Sequence, residues 1–161
     1  MNNAQDIYHY FSDKVEWLEL HTSERSVQSV SYIDKPSSTR LIKNNIIMES
    51  LVKELDEYFA RKSTAFTVPL DPQVGRTFER RVWQELVRIP PGKTRSYIEI
   101  ALAVGNPRGT RAVGSANKKN PIAIPIPCHR VIKSDGSIGG YNSGLVRKKA
   151  LLDLEGIQSH S

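Results

Sequence analysis

Residues 124–132, IPIPCHRVI, hold the single cysteine of the chain, Cys128, followed directly by His129 and Arg130. A thiol is a competent nucleophile only as the thiolate, and an imidazole, a guanidinium and an orienting carboxylate such as Glu155 are the groups that generate and hold one. Such a set fits nucleophilic chemistry at sulfur. Against it stands the ordinary fate of a lone cysteine, a small inert hydrophobe in a core, and of a lone histidine, a hydrogen-bonded structural side chain. Adjacency in sequence is not contact either: in an extended segment neighbouring side chains point to opposite faces, so His129 reaches the sulfur only where the backbone turns or a water bridges the gap. A Cys-His hydrolase is one reading of the set, but the sequence supplies neither separate oxyanion donors nor a substrate cleft.

The elements that must position these residues can be read from their flanks. PIAIPIPCHRVIK is β-branched and punctuated by proline, which predicts an extended, mostly buried segment, and Asp135 and Gly136 then supply a turn. SGLVRKKALLDLEG predicts a closing helix with Leu145, Leu151, Leu152 and Leu154 inward and Gly156 at its end. Upstream, Thr77 caps a predicted helix in which Phe78, Val82 and Leu86 share a stripe with Trp83 and Val87, stopped by IPPG. Ser96 and Glu99 form an S-x-x-E capping box for the next helix, with Ile98, Ala101 and Leu102 as its apolar side and Gly105 as its terminator. Asn106 and Pro107 then offer an N-cap and first helical position for PRGTRAVGSANKK, so that two short helices across a tight turn make a helix-turn-helix candidate. The second of these helices carries Arg108, Arg111, Lys118 and Lys119 among Gly109, Thr110, Ala112, Gly114, Ser115 and Ala116. Small side chains permit close backbone approach, and arginines reach phosphates or bases. The competing reading is a small face packed on a neighbouring helix.

Before this region, KVEWLELHTSERSVQSVSYIDK predicts two strands, Val15, Trp17 and Leu18 in one and Val27, Val30, Tyr32 and Ile33 in the other, around TSERS. Ile47, Leu51, Leu55, Tyr58 and Phe59 recur at helical spacing, and that helix is expected to cover one face of the sheet. STAFTVPLDPQVGRT has no periodicity and marks a boundary near residues 70–76, giving domains 1–72 and 73–161. The charge changes sign there. Residues 1–75 hold 8 Lys and Arg against 11 Asp and Glu, a net of −3, and residues 76–161 hold 15 against 6, a net of +9. A basic second half fits a polyanion such as nucleic acid, or simply a solubilising surface. One cysteine, no apolar run long enough for a bilayer and no leader point to a soluble protein of a reducing, intracellular compartment, the cytoplasm or, in a eukaryote, the nucleus.

The run IPIPCHRVIKSDGSIGGYNSGLVRKKALLDLEG resembles the active-site signature of the O6-alkylguanine-DNA alkyltransferases, and FERRVWQELVRIPPGKTRSYIEIALAVGNPRGTRAVGSANKKNP resembles their helix-turn-helix, so that the likeness covers about residues 66–157. It implies an α/β (α+β) chain: a small N-terminal antiparallel sheet with a helix, RNase H-like, then a helical winged-helix-like domain. It also implies irreversible transfer of an alkyl group from O6-alkylguanine, and O4-alkylthymine, in double-stranded DNA to Cys128 after the nucleotide is flipped out, by a monomer, alone or in cooperative arrays on DNA. By this resemblance His129 is the base that reaches Cys128 through water, Glu155 orients His129, and Tyr97 helps rotate and bind the base. Arg111 fills the gap left in the duplex, on a helix whose Arg108, Thr110, Ala112, Gly114 and Ser115 meet DNA in the minor groove. Asn120 braces the catalytic segment, while Val131, Tyr141, Asn142 and Arg130 line or support the pocket. Asn117 departs from the pattern, standing where several relatives carry an apolar residue, and Asn142 stands where some have a serine. Neither a metal nor a cofactor is expected; the zinc that some members hold through cysteines and histidines of the first domain has no counterpart in a half with no cysteine and only His9 and His21. The alternative is a non-catalytic DNA binder or lesion sensor.

Overall fold

The computed structural model describes residues 6–38 and 45–158. The outer ends of the two expected domains, 1–5 and 159–161, and residues 39–44 lie outside the described residues. Two compact units emerge: one runs to Gln73 and includes Pro121–Ala123, the other comprises Val74–Asn120 and the chain from Ile124 onward.

The first unit is a three-stranded antiparallel sheet in the order β1 (Asp6–Ser12), β2 (Glu16–Thr22), β3 (Val27–Ile33), with helix α1 (Ile46–Phe59) against all three strands. In β2 the alternate residues Leu18, Leu20 and Thr22 are buried, and α1 answers with Met48, Leu51, Leu55 and Tyr58. Met48 takes the inward position expected of Ile47, because the helix begins at Ile46 and its phase follows the Asn45 cap, whose Oδ1 accepts from the Met48 N–H at 2.8 Å. The two expected strands are β2 and β3; Val15 sits buried in the turn before β2 rather than within it. The sequence reading missed β1. Its buried residues include Asp6, Tyr10 and Ser12, and Tyr10 donates to Asp56 Oδ1 at 2.7 Å, so polar contacts replace the apolar alternation that would have revealed it. The outer edge of β3 is covered by parallel bridges from Val27 to Leu70 and from Val30 to Ile122, which satisfy an edge otherwise open to pairing.

The second unit holds α2 (Thr77–Val87), β4 (Arg95–Ser96), α3 (Tyr97–Ala103), α4 (Thr110–Lys118), a 3₁₀ turn (Cys128–Arg130), β5 (Val131–Ile132) and α5 (Leu145–Leu154). Helix α2 buries Val82, Trp83 and Leu86, and the Trp83 indole N–H donates to the Ala116 carbonyl at 2.9 Å, tying α2 to α4. Its cap is Arg76, not Thr77: the Glu79 carboxylate reaches back to the Arg76 N–H at 2.9 Å, which fixes the start one residue earlier. Phe78 is half-buried and Val87 exposed, so the stripe is narrower than expected. The Ser96–Glu99 capping box closes as read, with N–H···O distances of 3.2 and 2.6 Å. Helix α3 buries Ile100 and Ala101, however, and leaves Ile98 and Leu102 exposed; seven residues give it only one inward turn. Gly105, at φ +77°, ends α3, with its own N–H on Leu102 and that of Asn106 on the Ala101 carbonyl. Asn106 does not cap α4. Its carbonyl accepts from Gly109 at 2.8 Å in a turn, a Cβ on Gly109 would fall 2.3 Å from the Asn106 amide, and the helix starts at Thr110. In α5 the buried residues are Lys148, Leu151, Leu152 and Leu154; Leu145, expected inward, is exposed at the uncapped first turn.

Candidate active site

The segment 122–131 is buried throughout, and the backbone does turn at the cysteine. Pro127, at φ −83° and ψ 63°, is the centre of an inverse γ-turn closed by the Cys128 N–H on the Ile126 carbonyl at 2.8 Å. The same carbonyl accepts from Asn120 Nδ2 at 2.8 Å, so the chain just ahead of the sulfur is gripped from two directions. A 3₁₀ turn over Cys128–Arg130 follows, which takes these three side chains out of simple strand alternation. Beyond it, β5 pairs in parallel with β4, Arg95 opposite Val131, and β4 runs straight into Tyr97, the first residue of α3. That pairing sets Tyr97 beside the cysteine turn.

The side chains of His129 and Glu155 are both fully buried, with Nε2 2.8 Å from Glu155 Oε1. Arg130 donates to the same carboxylate from Nε and Nη2, each at 2.8 Å, and from Nη1 to the Ile89 carbonyl at 2.8 Å. Burial alone would raise the Glu155 pKa, but the hydrogen bonds and charges of His129 and Arg130 outweigh it and hold the carboxyl well below its ordinary range. An ionised Glu155 can only accept, so Nε2 of His129 carries the proton. Burial pushes the imidazole pKa down despite Glu155, which leaves a neutral ring whose Nδ1 is a buried base with no hydrogen-bond partner. Burial likewise pushes the Cys128 thiol up, against hydrogen bonds from Asn120 and Tyr141 and the charge of Lys148. The resting sulfur is therefore a thiol with a neutral base next to it in the chain, poised to lose its proton rather than already ionised.

Lys148 is the site residue that the sequence reading missed. It is fully buried, with Nζ donating to the Val131 carbonyl at 2.6 Å and the Gly140 carbonyl at 3.0 Å. Burial lowers its pKa to about 8, while the Cys128 charge acts the other way. Its spacing, three and four residues ahead of the inward Leu151 and Leu152, was the available signal. Asn117 was likewise passed over as a site residue: it is buried on α4, and its Nδ2 donates to the Cys128 carbonyl at 3.1 Å. Burial raises the pKa of Tyr97, the Cys128 charge adds to this, and the Asn117 amide opposes it.

The structure thus gathers Cys128, His129, Arg130, Glu155, Asn120, Val131, Tyr97 and Tyr141 into one cluster, with Asn142 exposed beside Tyr141. On α4 the buried side is Val113, Ala116 and Asn117, and Arg111, Ala112, Ser115 and Lys118 form the exposed side. Thr110 and Gly114 are half-buried, and Arg108 is exposed in the turn before the helix. Lys119 is paired with Glu79 at 2.9 Å, whereas Arg108 and Arg111 have no ionic partner among the described residues. A Cβ on Gly114 would sit 3.9 Å from the Tyr97 ring, an ordinary contact, so packing within the chain does not require glycine there. Among the described residues no group of His, Cys, Asp and Glu could hold a metal ion, and no helix is long and apolar enough to cross a membrane.

Comparison with known proteins gives the same picture. Residues 77–157 match the family model described as the DNA-binding domain of 6-O-methylguanine DNA methyltransferase, and residues 7–72 match its ribonuclease-like domain. The methylated-DNA–protein-cysteine methyltransferase of Mycobacterium leprae is 48% identical over 130 residues, covering 81% of this chain and 78% of the relative. That of Methanosarcina acetivorans is 41% identical over 155 residues, covering 92% and 97%. The crystal structure of Mycobacterium tuberculosis O6-methylguanine methyltransferase superposes with a TM-score of 0.81 at 40% identity, over 94% of this chain and 93% of that one. A second structure, of the Mycobacterium tuberculosis protein in complex with DNA, gives 0.81 at 41%, over 91% and 90%. With a buried thiol turned out of its strand, a histidine–carboxylate pair behind it and a basic helix-turn-helix in the same unit, matched over both halves, this chain belongs to the 6-O-methylguanine DNA methyltransferase family.

Proposed function

We propose that this chain repairs DNA by direct reversal, moving the alkyl group of an O6-alkylguanine, or of O4-alkylthymine, onto Cys128 in a single irreversible event. The observation that carries the reading is the solitary buried thiol in a turn shared with a neutral, carboxylate-anchored histidine. The exposed Arg111–Ala112–Ser115 face of α4, with Arg108, Thr110 and Gly114 at its margins, seats the duplex; Arg111 fills the space of the departed nucleotide, and Gly114 lets the backbone come close. Flipping costs a few kcal/mol, less for a damaged base. In the pocket Val131, Tyr141 and Asn142 face the purine, while Asn120 and Arg130 hold the cysteine turn.

His129 Nδ1 takes the thiol proton, directly or through a water, and Glu155 steadies the imidazolium. Sulfur then attacks the alkyl carbon; the C–S bond forms as the C–O bond breaks, and its electron pair leaves on guanine O6. Tyr97 hydrogen-bonds the ring as this charge grows, and the proton that His129 took from the thiol passes through water to the guanine ring nitrogen, which leaves the imidazole neutral again. The thioether has no acyl carbon for water to attack, so each chain acts once. Within this scheme residues 73–161 carry DNA binding and transfer, residues 1–72 support them, and the protein works as a monomer in the compartment that holds the DNA, the cytoplasm in a bacterial or archaeal cell.

Intact-mass measurement after incubation with a duplex carrying one O6-methylguanine tests this. One methyl on Cys128 per chain is expected, and none in Cys128→Ser, which still binds the duplex. DNA binding without any mass gain would mark a lesion sensor, and several events per chain would refute the single-use mechanism.

A further inference from the structure

Asn117 lies on the inward side of the helix whose outward side carries Arg111, Ala112 and Ser115. One amide N–H donates to the Cys128 carbonyl at 3.1 Å, and the same amide faces the Tyr97 phenol oxygen. The Cys128 carbonyl already accepts from the Val131 N–H, so it does not need Asn117 for satisfaction. Asn117 Oδ1, meanwhile, is buried without any hydrogen-bond partner. An orphaned buried acceptor works against folding, and an apolar side chain of similar size would remove that penalty. The amide is kept at a cost to stability.

We propose that Asn117 is a positioning residue of the transfer step: its two N–H groups hold the Cys128 carbonyl and the Tyr97 oxygen, which leaves the Tyr97 O–H to donate to the extruded base. This rests on the alkyl-transfer reading. A phenol whose oxygen receives an N–H keeps its own hydrogen for another acceptor; facing a carbonyl or carboxylate instead, it would turn that hydrogen inward. The side chain also joins three parts of the reaction, since the DNA-facing helix, the tyrosine that binds the base and the main chain of the nucleophile meet at one amide.

The test is a double-mutant cycle on single-turnover transfer at saturating duplex, followed by intact mass in wild type, Asn117→Leu, Tyr97→Phe and the double variant. If Asn117 acts through Tyr97, Asn117→Leu slows transfer per folded chain by about threefold to tenfold, the value of one hydrogen bond. The double variant is then no slower than Tyr97→Phe, and the thermal midpoint of Asn117→Leu equals or exceeds that of wild type. Two slowing factors that multiply, or an unchanged rate with a lowered midpoint, overturn the proposal. Should Asn117→Leu not fold, Asn117→Met, which likewise removes donor and acceptor but is more adaptable in shape, takes its place in the same cycle with the same outcomes. A wild type that gains no mass overturns the transfer reading and this role with it; a multiplicative cycle with an active wild type overturns this role alone.

Discussion

Each unit of the molecule contains a glutamate that gathers two basic side chains. In the first, Glu19 on β2 accepts from His9 at 3.1 Å and from His21 at 2.7 Å. In the second, Glu155 accepts from His129 and doubly from Arg130. The donor chemistry is almost the same, and the surroundings are not. The Glu19 side chain is 34% exposed on a sheet face, with His9 its cross-strand partner, whereas Glu155 is completely enclosed. Water screens the first cluster and leaves it a local clasp between strands. Enclosure makes the second a fixed charge that orients a neutral imidazole next to a thiol. Burial, more than residue type, separates the two histidine clusters.

Removing each carboxylate is the sharpest way to break the comparison. Glu155→Ala strands Arg130 in the interior and is expected to cost about 3–5 kcal/mol and to abolish transfer, while Glu19→Ala costs about 1 kcal/mol or less; denaturant titration of both variants reads the difference, and equal losses would erase the distinction. Acid sharpens it. Because its partners depress the pKa of Glu155, the stability it contributes is complete above the unfolded carboxyl pKa of about 4.3 and drains away as pH falls through the depressed value. The next effect in size belongs to Lys148. Its charge opposes the upward push of burial on the Cys128 thiol, so Lys148→Met raises the thiol pKa further: transfer slows at pH 7, and the rate–pH profile moves to higher pH. A profile that falls without moving would confine Lys148 to holding the Val131 and Gly140 carbonyls. The smallest effect is at Gly114, where Gly114→Ala should add up to about 1 kcal/mol of stability and yet weaken duplex binding, as anisotropy would record. Unchanged affinity there would remove the case for close backbone approach.

What could be read from the sequence followed the strength of the local signal. The Ser96–Glu99 box and Gly105 are backbone devices with fixed spacing, and they appeared where expected. The cysteine signature fixed the family because a long ordered pattern carries more information than a pair of residue types. β1 escaped because it buries Asp6 and Ser12, and its order comes from partners such as Asn45 and Asp56 that lie far away in sequence. The start of α4 shifted because Gly109 folds back on Asn106, a turn that propensity rules read as a cap. Lys148 and Asn117 were hidden for a related reason. Hydropathy places such side chains outside, and only the carbonyls of Val131, Gly140 and Cys128 show why they are inside.

The double grip on the Ile126 carbonyl has an outcome for the spent molecule. Cys128 as a residue is 5% exposed, behind a proline-locked bend, with little slack to retreat when it acquires a methyl group or something bulkier. The added volume must be absorbed by neighbouring walls, and overfilling a tight interior costs about 1–3 kcal/mol. A methylated chain is therefore expected to melt below an unmodified one, a difference that thermal denaturation before and after reaction would read.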